Sequence, residues 1–308
     1  MTIQSAAILG RGALGVMYGS FLSPQLPSEQ TYFLAEPHRV ERYRQERITV
    51  NGTPANLCFK SPKELNKAPD LLIVALKAPV LRQALRLVKD AVDQNTIVVS
   101  VMNGISSEDI IAEELGLKKI VHCVAQRMDA LFQNNTLTYR TFGELVIGLS
   151  PQNRSQIEAL QDTVEFFRRT QMPHLVDSNI IHRMWCKWML NVGVNQTLSV
   201  YNGCFEMIHK PGEARDVMIG AMREVLKLSE LEGTGLSEKD FKEYLKIIDE
   251  LNPKGMPSMR QDRLAKRPTE VESFAGTVID KAASFGLNVP FNEKLYRQVR
   301  QFEAEYLK

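Results

Sequence analysis

The stretch Ala6-Ala7-Ile8-Leu9-Gly10-Arg11-Gly12-Ala13-Leu14-Gly15 lies near the start of the chain and predicts how its first half folds. Residues 6–9 form an apolar run with the length of a buried strand, and the residues after Gly15 have a composition typical of a helix. In such a strand–turn–helix unit, Gly10 allows the tight turn and Gly12 lets a pyrophosphate approach the backbone, while Gly15 lets the helix pack closely. The stretch therefore predicts a βα unit of the kind that binds dinucleotides.

The ligand contacts expected of this loop come from the main chain. Amide N–H groups at the start of a helix, together with the helix dipole, favour phosphate groups. An ordinary glycine-rich turn is the alternative, and a second strand predicted at residues 31–35 favours the dinucleotide site. The expected cofactor-binding residues of the loop are Gly10, Arg11, Gly12, Ala13, Leu14 and Gly15.

Composition limits the class of protein. The chain has 308 residues, enough for two domains, with 44% hydrophobic and 24% charged residues. Its net charge of +2 gives no reason to expect nucleic acid or an anionic membrane as a partner. The longest apolar run, residues 71–76, is too short to span a bilayer, and we expect no secretory signal because no charged segment followed by an apolar one precedes the first strand. The four cysteines lack metal-ligand spacing, so we expect no metal and a cytoplasmic protein with reduced thiols.

The pattern of the chain changes near residue 177. Before it, strands predicted at 6–9, 31–35, 70–76 and 96–101 alternate with helices, a hairpin turns at Asn51-Gly52, and residues 120–125 and 145–147 are expected to add edge strands. After it, helical periodicity predicts helices at 179–200, 214–232, 238–250, 269–285 and 291–306. We therefore expect an α/β fold with a Rossmann-type, doubly wound parallel sheet over residues 1–175, which binds the dinucleotide. An all-α substrate and catalytic domain is expected over residues 176–308.

Two charged residues follow predicted strands of the sheet. Glu36 stands 21 positions after Gly15, where Rossmann folds carry the acidic residue that binds the adenosine ribose hydroxyls. Lys77 ends the strand predicted at residues 70–76, and ligands bind at such strand ends in open α/β folds. A solvated loop charge is the alternative for Glu36, and a lysine that merely opens the loop before Pro79 is the alternative for Lys77.

A polar stripe marks the first predicted helix of the second half. Lys187, Asn191 and Asn195 are spaced i, i+4, i+8, so they share one helix face among Trp, Met, Leu and Val residues. Buried polar groups need hydrogen-bond partners, and a substrate with carboxylate, carbonyl and hydroxyl groups would supply them. The alternative is a solvated face, although such a face typically carries Glu, Lys and Arg.

A later cluster contains Ser258 and Glu270. Ser258 and Gln261 have the spacing of a capping box, which predicts a helix N-cap at Ser258. Glu270, two residues after Pro268, suits the first turn of a helix, where a carboxylate complements the dipole. From the residues alone, these structural interpretations are favoured over catalytic ones.

Taken together, these motifs resemble those of the ketopantoate reductases (2-dehydropantoate 2-reductases) in order and approximate spacing, over essentially the whole chain. The resemblance implies reduction of 2-dehydropantoate to pantoate by NAD(P)H, on the route to coenzyme A. It implies that Lys187 is the general acid and that Glu270 orients Lys187 or the substrate. It also implies substrate contacts from Asn103, Asn191, Asn195 and Ser258, with Lys77 and Asn103 lining the nicotinamide side. The expected partners are a small keto acid and, as a possibility left open, a second copy of the chain.

The chain departs from the family pattern at two positions. Val80 stands where the family commonly has glutamine, and Glu36 stands where it often has arginine. The resemblance implies NADP(H), whereas Glu36 favours NAD(H), because its carboxylate would repel the 2′-phosphate of NADPH. Two other functions remain open: a reductase of another small keto acid, and a non-catalytic regulator that binds a dinucleotide.

Overall fold

An eight-stranded sheet organises the first part of the chain in this computed structural model, which describes residues 2–307. Its strands have the order β5-β2-β1-β6-β7-β8-β11-β12, and the six from β5 to β8 are parallel. These eight are β1 (Ala6–Leu9), β2 (Thr31–Leu34), β5 (Cys58–Lys60), β6 (Leu71–Val74), β7 (Ile97–Ser100), β8 (Ile120–Gln126), β11 (Glu144–Gly148) and β12 (His174–Val176). The Rossmann-type sheet predicted from the sequence is confirmed.

The edges of this sheet differ from the prediction. We expected residues 120–125 and 145–147 to form edge strands, but β8 and β11 lie inside the sheet and pair antiparallel with each other. The edges are β12 and β5, both only three residues long. Because their short runs carry little β-pattern, their pairing depends on the strands beside them.

A second, four-stranded sheet contains two hairpins in the order β4-β3-β10-β9. Strands β3 (Ile48–Val50) and β4 (Thr53–Ala55) flank Asn51-Gly52, and this hairpin confirms the prediction. The sequence analysis missed the other hairpin, formed by β9 (Leu131–Gln133) and β10 (Thr136–Thr138). Its turn residues Asn134 and Asn135 have φ of +48° and +58°, as a two-residue type I′ turn requires.

The helices divide between two compact units, Met1–Ile180 and Ile181–Lys308. The first unit contains α1 (Ala13–Leu22), α2 (Pro37–Gln45), α3 (Ala78–Val88), α4 (Ser107–Leu115) and α5 (Ile157–Arg169). In the second part are α6 (Ile180–Val200), α7 (Glu206–His209), α8 (Glu213–Glu232), α9 (Glu238–Asp249), α10 (Ser258–Leu264), α11 (Ala275–Ser284) and α12 (Pro290–Tyr306). The predicted helical character of this half is confirmed. Within residues 2–307, every helix is too short or too polar to cross a membrane.

The helix predicted over residues 269–285 is interrupted. A 3₁₀ turn spans Val271–Ser273, Phe274 has φ of −106° and ψ of −96°, and α11 begins only at Ala275. Side chains of α6 bind the backbone at this break: Trp188 Nε1 donates to the Ser273 carbonyl at 2.8 Å, and Gln196 Oε1 accepts from the Ala275 amide at 3.0 Å. Tertiary hydrogen bonds therefore replace those that a continuous helix would make.

The helix-start predictions for Ser258 and Glu270 were wrong in detail. Pro257 is the N-cap of α10, so Ser258 is already the first helical residue and makes no capping bond. Glu270 is the N-cap of the 3₁₀ turn rather than part of an α-helical first turn. Proline in extended conformation at residue 257 explains the first difference, because it sets the boundary one residue earlier.

Candidate active site

Four neighbouring parallel strands end at the same level, and the cofactor residues expected in the first unit follow them. In the sheet register Leu9 pairs with both Leu34 and Val74, and Val74 pairs with Ser100. Because the carboxyl ends of parallel strands form the ligand-binding edge of an open sheet, residues just beyond these four positions share that edge. They include the glycine loop from Gly10 to Gly15, then Glu36, Lys77 and Asn103.

The glycine loop packs too closely for side chains at two of its three glycines. Gly10 has φ of +118°, and a Cβ atom there would lie 2.3 Å from the carbonyl oxygen of Ala75. A Cβ atom at Gly15 would lie 2.0 Å from the carbonyl oxygen of Gly10. At Gly12 the nearest such atom, the Ala75 oxygen, is 4.0 Å away, so the space in front of Gly12 is open. This arrangement fits a pyrophosphate held against the backbone at Gly12.

Helix α1 begins with its amides available to an anion. Gly12 is the N-cap, no side chain caps the helix, and its first turn carries no acidic residue. Ala13 and Leu14 are partly exposed, so phosphate oxygens can reach the N–H groups of the first turn. The residues present therefore fit the diphosphate of a dinucleotide.

Arg11 makes contacts that the sequence did not predict. Its Nη2 donates to Asn135 Oδ1 at 2.6 Å and pairs with Glu46, and its guanidinium lies 4.1 Å from the centre of the Tyr43 ring. The partners come from α2 and from the unpredicted Asn134-Asn135 turn. No local sequence signal connects them to Arg11.

Glu36 follows β2 and is the N-cap of α2. Its Oε2 lies 3.0 Å from Nε of Arg39 and 3.7 Å from Nε2 of His38. The carboxylate is 31% exposed, so it is open to a ligand while already paired with a cation. The predicted ribose site thus combines an acceptor with an adjacent guanidinium.

The α6 stripe lies on one continuous helix. Lys187 is half-buried, whereas Asn191 and Asn195 are only 7% and 6% exposed. Buried side-chain amides need hydrogen-bond partners, and a polar ligand at this face would supply them, so the burial argues against a solvated face.

Glu270 lies in a segment that is anchored to the same helix. It is 6% exposed, and the Trp188–Ser273 and Gln196–Ala275 hydrogen bonds fix the residues that follow it. Gln196 is held in turn by the Val192 carbonyl, to which its Nε2 donates at 2.8 Å. Trp188 and Gln196 are therefore the positioning residues that the sequence analysis missed.

The remaining predicted residues lie on separate elements. Lys77 is the partly exposed N-cap of α3, and Asn103 is partly exposed in the loop between β7 and α4. Ser258 is exposed at the start of α10. The structure thus groups the cofactor residues at one sheet edge and attaches the Glu270 segment to the helix that carries Lys187.

Comparison with known families adds an independent observation. Residues 6–152 match the family described as "Ketopantoate reductase PanE/ApbA", and residues 179–303 match "Ketopantoate reductase PanE/ApbA C terminal". The chain belongs to the ketopantoate reductase family. The matched ranges include the glycine loop, the α6 stripe and Glu270, so both candidate regions lie within the parts of the chain that match the family.

Individual relatives cover nearly the full length at low identity. The 2-dehydropantoate 2-reductase of Pyrococcus horikoshii is 26% identical over 302 residues, which are 96% of this chain and 97% of the relative. A dimeric ketopantoate reductase from Staphylococcus aureus has a similar structure, with a TM-score of 0.78, 21% identity, and coverage of 98% of this chain and 99% of its own. D-mandelate dehydrogenase with NADH and anilino(oxo)acetate is also similar, with a TM-score of 0.84, 21% identity, and coverage of 99% and 100%. At such identities, the structural likeness shows a shared fold.

Proposed function

We propose that the protein is an NAD(P)H-dependent oxidoreductase that reduces 2-dehydropantoate to pantoate. The observation that carries this proposal is the α6 face, where half-buried Lys187 precedes the buried side chains of Asn191 and Asn195 on the same helix. The family to which the chain belongs, and a relative named 2-dehydropantoate 2-reductase that aligns over its length, support the same substrate.

The first unit would hold the cofactor. Main-chain amides of Gly12, Ala13 and Leu14 would bind the diphosphate, and Glu36 the adenosine ribose. Lys77 and Asn103, at the ends of β6 and β7, would line the nicotinamide side. When bound, the nicotinamide dinucleotide supplies the hydride that reduces the ketone carbon.

Lys187 would act on the ketone oxygen. As hydride adds to the carbon, negative charge develops on that oxygen, and an ammonium group can stabilise the charge and donate the proton. Glu270 would orient Lys187 or the substrate hydroxyl from the anchored segment. Asn191, Asn195, Asn103 and Ser258 would hydrogen-bond the hydroxyl and carboxylate groups of the substrate.

A second candidate is the reduction of another small 2-keto acid on the same scaffold. It is favoured by the structural similarity to D-mandelate dehydrogenase and by Val80, which stands where the family commonly has glutamine. The catalytic groups would be the same, so the two candidates differ in substrate contacts only.

The test is the oxidation of NADH or NADPH by the purified protein with 2-dehydropantoate and with a panel of 2-keto acids that includes the keto acid of mandelate. We expect the highest kcat/KM with 2-dehydropantoate. A higher value with another keto acid favours the second candidate. Dinucleotide binding without turnover of any keto acid would indicate a regulator instead.

The proposed assembly is a homodimer, in line with the printed description of the Staphylococcus aureus relative as dimeric. The mass of the purified protein in solution, measured by light scattering, tests this. A mass near the 34.9 kDa of one chain would contradict it.

A further inference from the structure

Three side chains of different metal-binding types converge in the helical unit. They are His182 and Cys186 on α6 and Asp240 on α9, and their donor atoms all lie within 4.8 Å of one another. His182 Nε2 is 3.2 Å from Asp240 Oδ2 and 3.7 Å from Cys186 Sγ. The four cysteines alone gave no metal pattern in the sequence, because only one of these three ligands is a cysteine.

Local structure directs each of the three groups to this point. His182 and Cys186 are spaced i, i+4, so one face of α6 presents both, as in helical metal sites that use two ligands one turn apart. Asp240 is the third residue of α9, and its carboxylate accepts hydrogen bonds from the Ser237 backbone N–H, at 2.9 Å, and from the Ser237 hydroxyl. Ser237 thereby orients the carboxylate in the manner of an outer-shell partner.

The distances agree with the geometry of a zinc site. Bond lengths of about 2.0–2.1 Å to nitrogen, 2.0–2.2 Å to oxygen and 2.3 Å to sulfur give tetrahedral edges of about 3.3–3.5 Å for N···O and about 3.5–3.6 Å for N···S. The observed distances of 3.2 Å and 3.7 Å lie within about 0.3 Å of these edges, and the Asp240 oxygen and the Cys186 sulfur lie within 4.8 Å of each other. An ion could therefore bind with little movement of His182 relative to the other two ligands.

Charge and access also suit a divalent ion. A thiolate and a carboxylate together balance two positive charges, and the imidazole binds in its neutral form. The side chains of His182 and Asp240 are 28% and 18% exposed, which gives an ion access, while Cys186 is buried at 4%.

We propose that His182, Cys186 and Asp240 bind one divalent ion of the zinc type, with water in the fourth position. Sulfur, imidazole and carboxylate donors favour zinc over the harder ions magnesium and calcium. The site joins the first turns of α6 to α9. It is separate from the proposed reduction, in which none of these three residues takes part, although Cys186 directly precedes Lys187 in the sequence.

The test is calorimetric titration of the chelator-treated full-length protein with zinc chloride. We expect one ion per chain, and we expect Cys186→Ser and Asp240→Asn each to weaken binding at least tenfold. Asparagine can also cap a helix, so Asp240→Asn should keep α9 intact. Cys204→Ser, which changes a cysteine outside this cluster in the same unit, is the matched control and should bind zinc normally.

Cobalt(II) provides a second measurement on the unmodified protein. A thiolate-to-cobalt charge-transfer band should appear at one equivalent, remain in Cys204→Ser and be absent from Cys186→Ser. Failure of the unmodified protein to bind zinc stoichiometrically would overturn the proposal. So would the absence of the thiolate band, or equal zinc affinity in Cys186→Ser, and in those cases the cluster is only an ion pair beside a cysteine.

Discussion

The glycine loop of the first unit and the α6 face of the second are built in opposite ways. In the loop, Gly10 and Gly15 have no room for a Cβ atom, and the groups that would bind the proposed diphosphate belong to the backbone. On α6, the backbone is helical, and the groups that would contact the proposed substrate are the side chains of Lys187, Asn191 and Asn195. The proposed function of the loop therefore requires that its glycines have no side chains, whereas that of the helix face requires three particular side chains.

This difference predicts which substitutions damage each region. An added side chain should harm the loop, and a removed side chain should harm the helix face. It also predicts which step is affected, because the loop would bind cofactor and the α6 face would act on the substrate.

The largest effect is expected from Lys187→Ala. Loss of a group that both stabilises the developing negative charge and donates a proton should lower kcat by about 10²–10⁴-fold, equivalent to about 3–5 kcal/mol. Steady-state turnover with saturating keto acid measures this, with dinucleotide affinity expected to be unchanged. Lys227→Ala, an exposed lysine on α8, is the control. Turnover near that of the unmodified protein would remove Lys187 from the mechanism.

Gly12→Val tests the glycine loop by adding a side chain instead of removing one. Its side chain would enter the open space in front of Gly12 and take the place of the pyrophosphate, so dinucleotide binding should weaken about 100-fold, or about 3 kcal/mol. The midpoint of thermal unfolding should change little. Gly15→Ala is the matched comparison and should lower that midpoint, because its Cβ would lie 2.0 Å from the Gly10 oxygen. Tight calorimetric binding by Gly12→Val would contradict the dinucleotide site.

A buried carboxyl group should make the first unit sensitive to pH. Glu108 on α4 is 3% exposed and accepts a hydrogen bond from Ser107 Oγ at 2.8 Å, and burial raises its pKa to about 7. Between its unfolded pKa of about 4.3 and about 7, the folded state keeps a proton that the unfolded chain has released, so stability falls as pH rises through this window. The loss should be about 3 kcal/mol between pH 5 and pH 8.

Glu108→Gln should remove most of this dependence while keeping an acceptor for Ser107. Thermal midpoints measured from pH 5 to pH 8 by circular dichroism would report it, with exposed Glu113→Gln on the same helix as the control. If the thermal midpoint depends on pH equally in Glu108→Gln and in the unmodified protein, Glu108 is ionised in the folded state.

Glu36→Arg tests whether the residue at position 36 determines the choice between NADH and NADPH. Removal of a carboxylate that is proposed to accept hydrogen bonds from the ribose hydroxyls, and addition of a cation beside Arg39, should shift the ratio of kcat/KM for NADPH over NADH upward by about tenfold or more, about 1.4 kcal/mol. We expect the unmodified protein to use NADH at least comparably with NADPH. Glu41→Arg, on the exposed side of the same helix, should leave the ratio unchanged. A large NADPH preference in the unmodified protein would mean that Glu36 does not bind the ribose.

The smallest effect is expected from Asn191→Ala. Loss of one substrate hydrogen bond should raise the KM for the keto acid by about fivefold, or about 1 kcal/mol, with a smaller change in kcat. Asn153→Ala, in the 3₁₀ turn before α5, is an asparagine control in the other unit. An unchanged KM in Asn191→Ala would mean that this buried amide does not face the substrate.

Local sequence determined the βα unit that begins at Ala6–Leu9, the Asn51-Gly52 hairpin and, to within a residue, the bounds of four of the five helices predicted in the second half. These features depend on the periodicity of apolar residues, on the spacing of glycines and on turn residues, and each of these acts over a few neighbouring positions. The α6 stripe could be predicted for the same reason, since i, i+4 spacing alone places its members on one face.

The tertiary structure decided the rest. The break at Phe274 depends on Trp188 and Gln196, which bind the backbone on either side of it from another helix. Asp240 meets His182 and Cys186 only because α9 packs near the start of α6, and β12 is an edge strand only because β11 offers it a partner. Such contacts join residues that are distant in the chain, so no local pattern encodes them, and they form only when whole elements have packed.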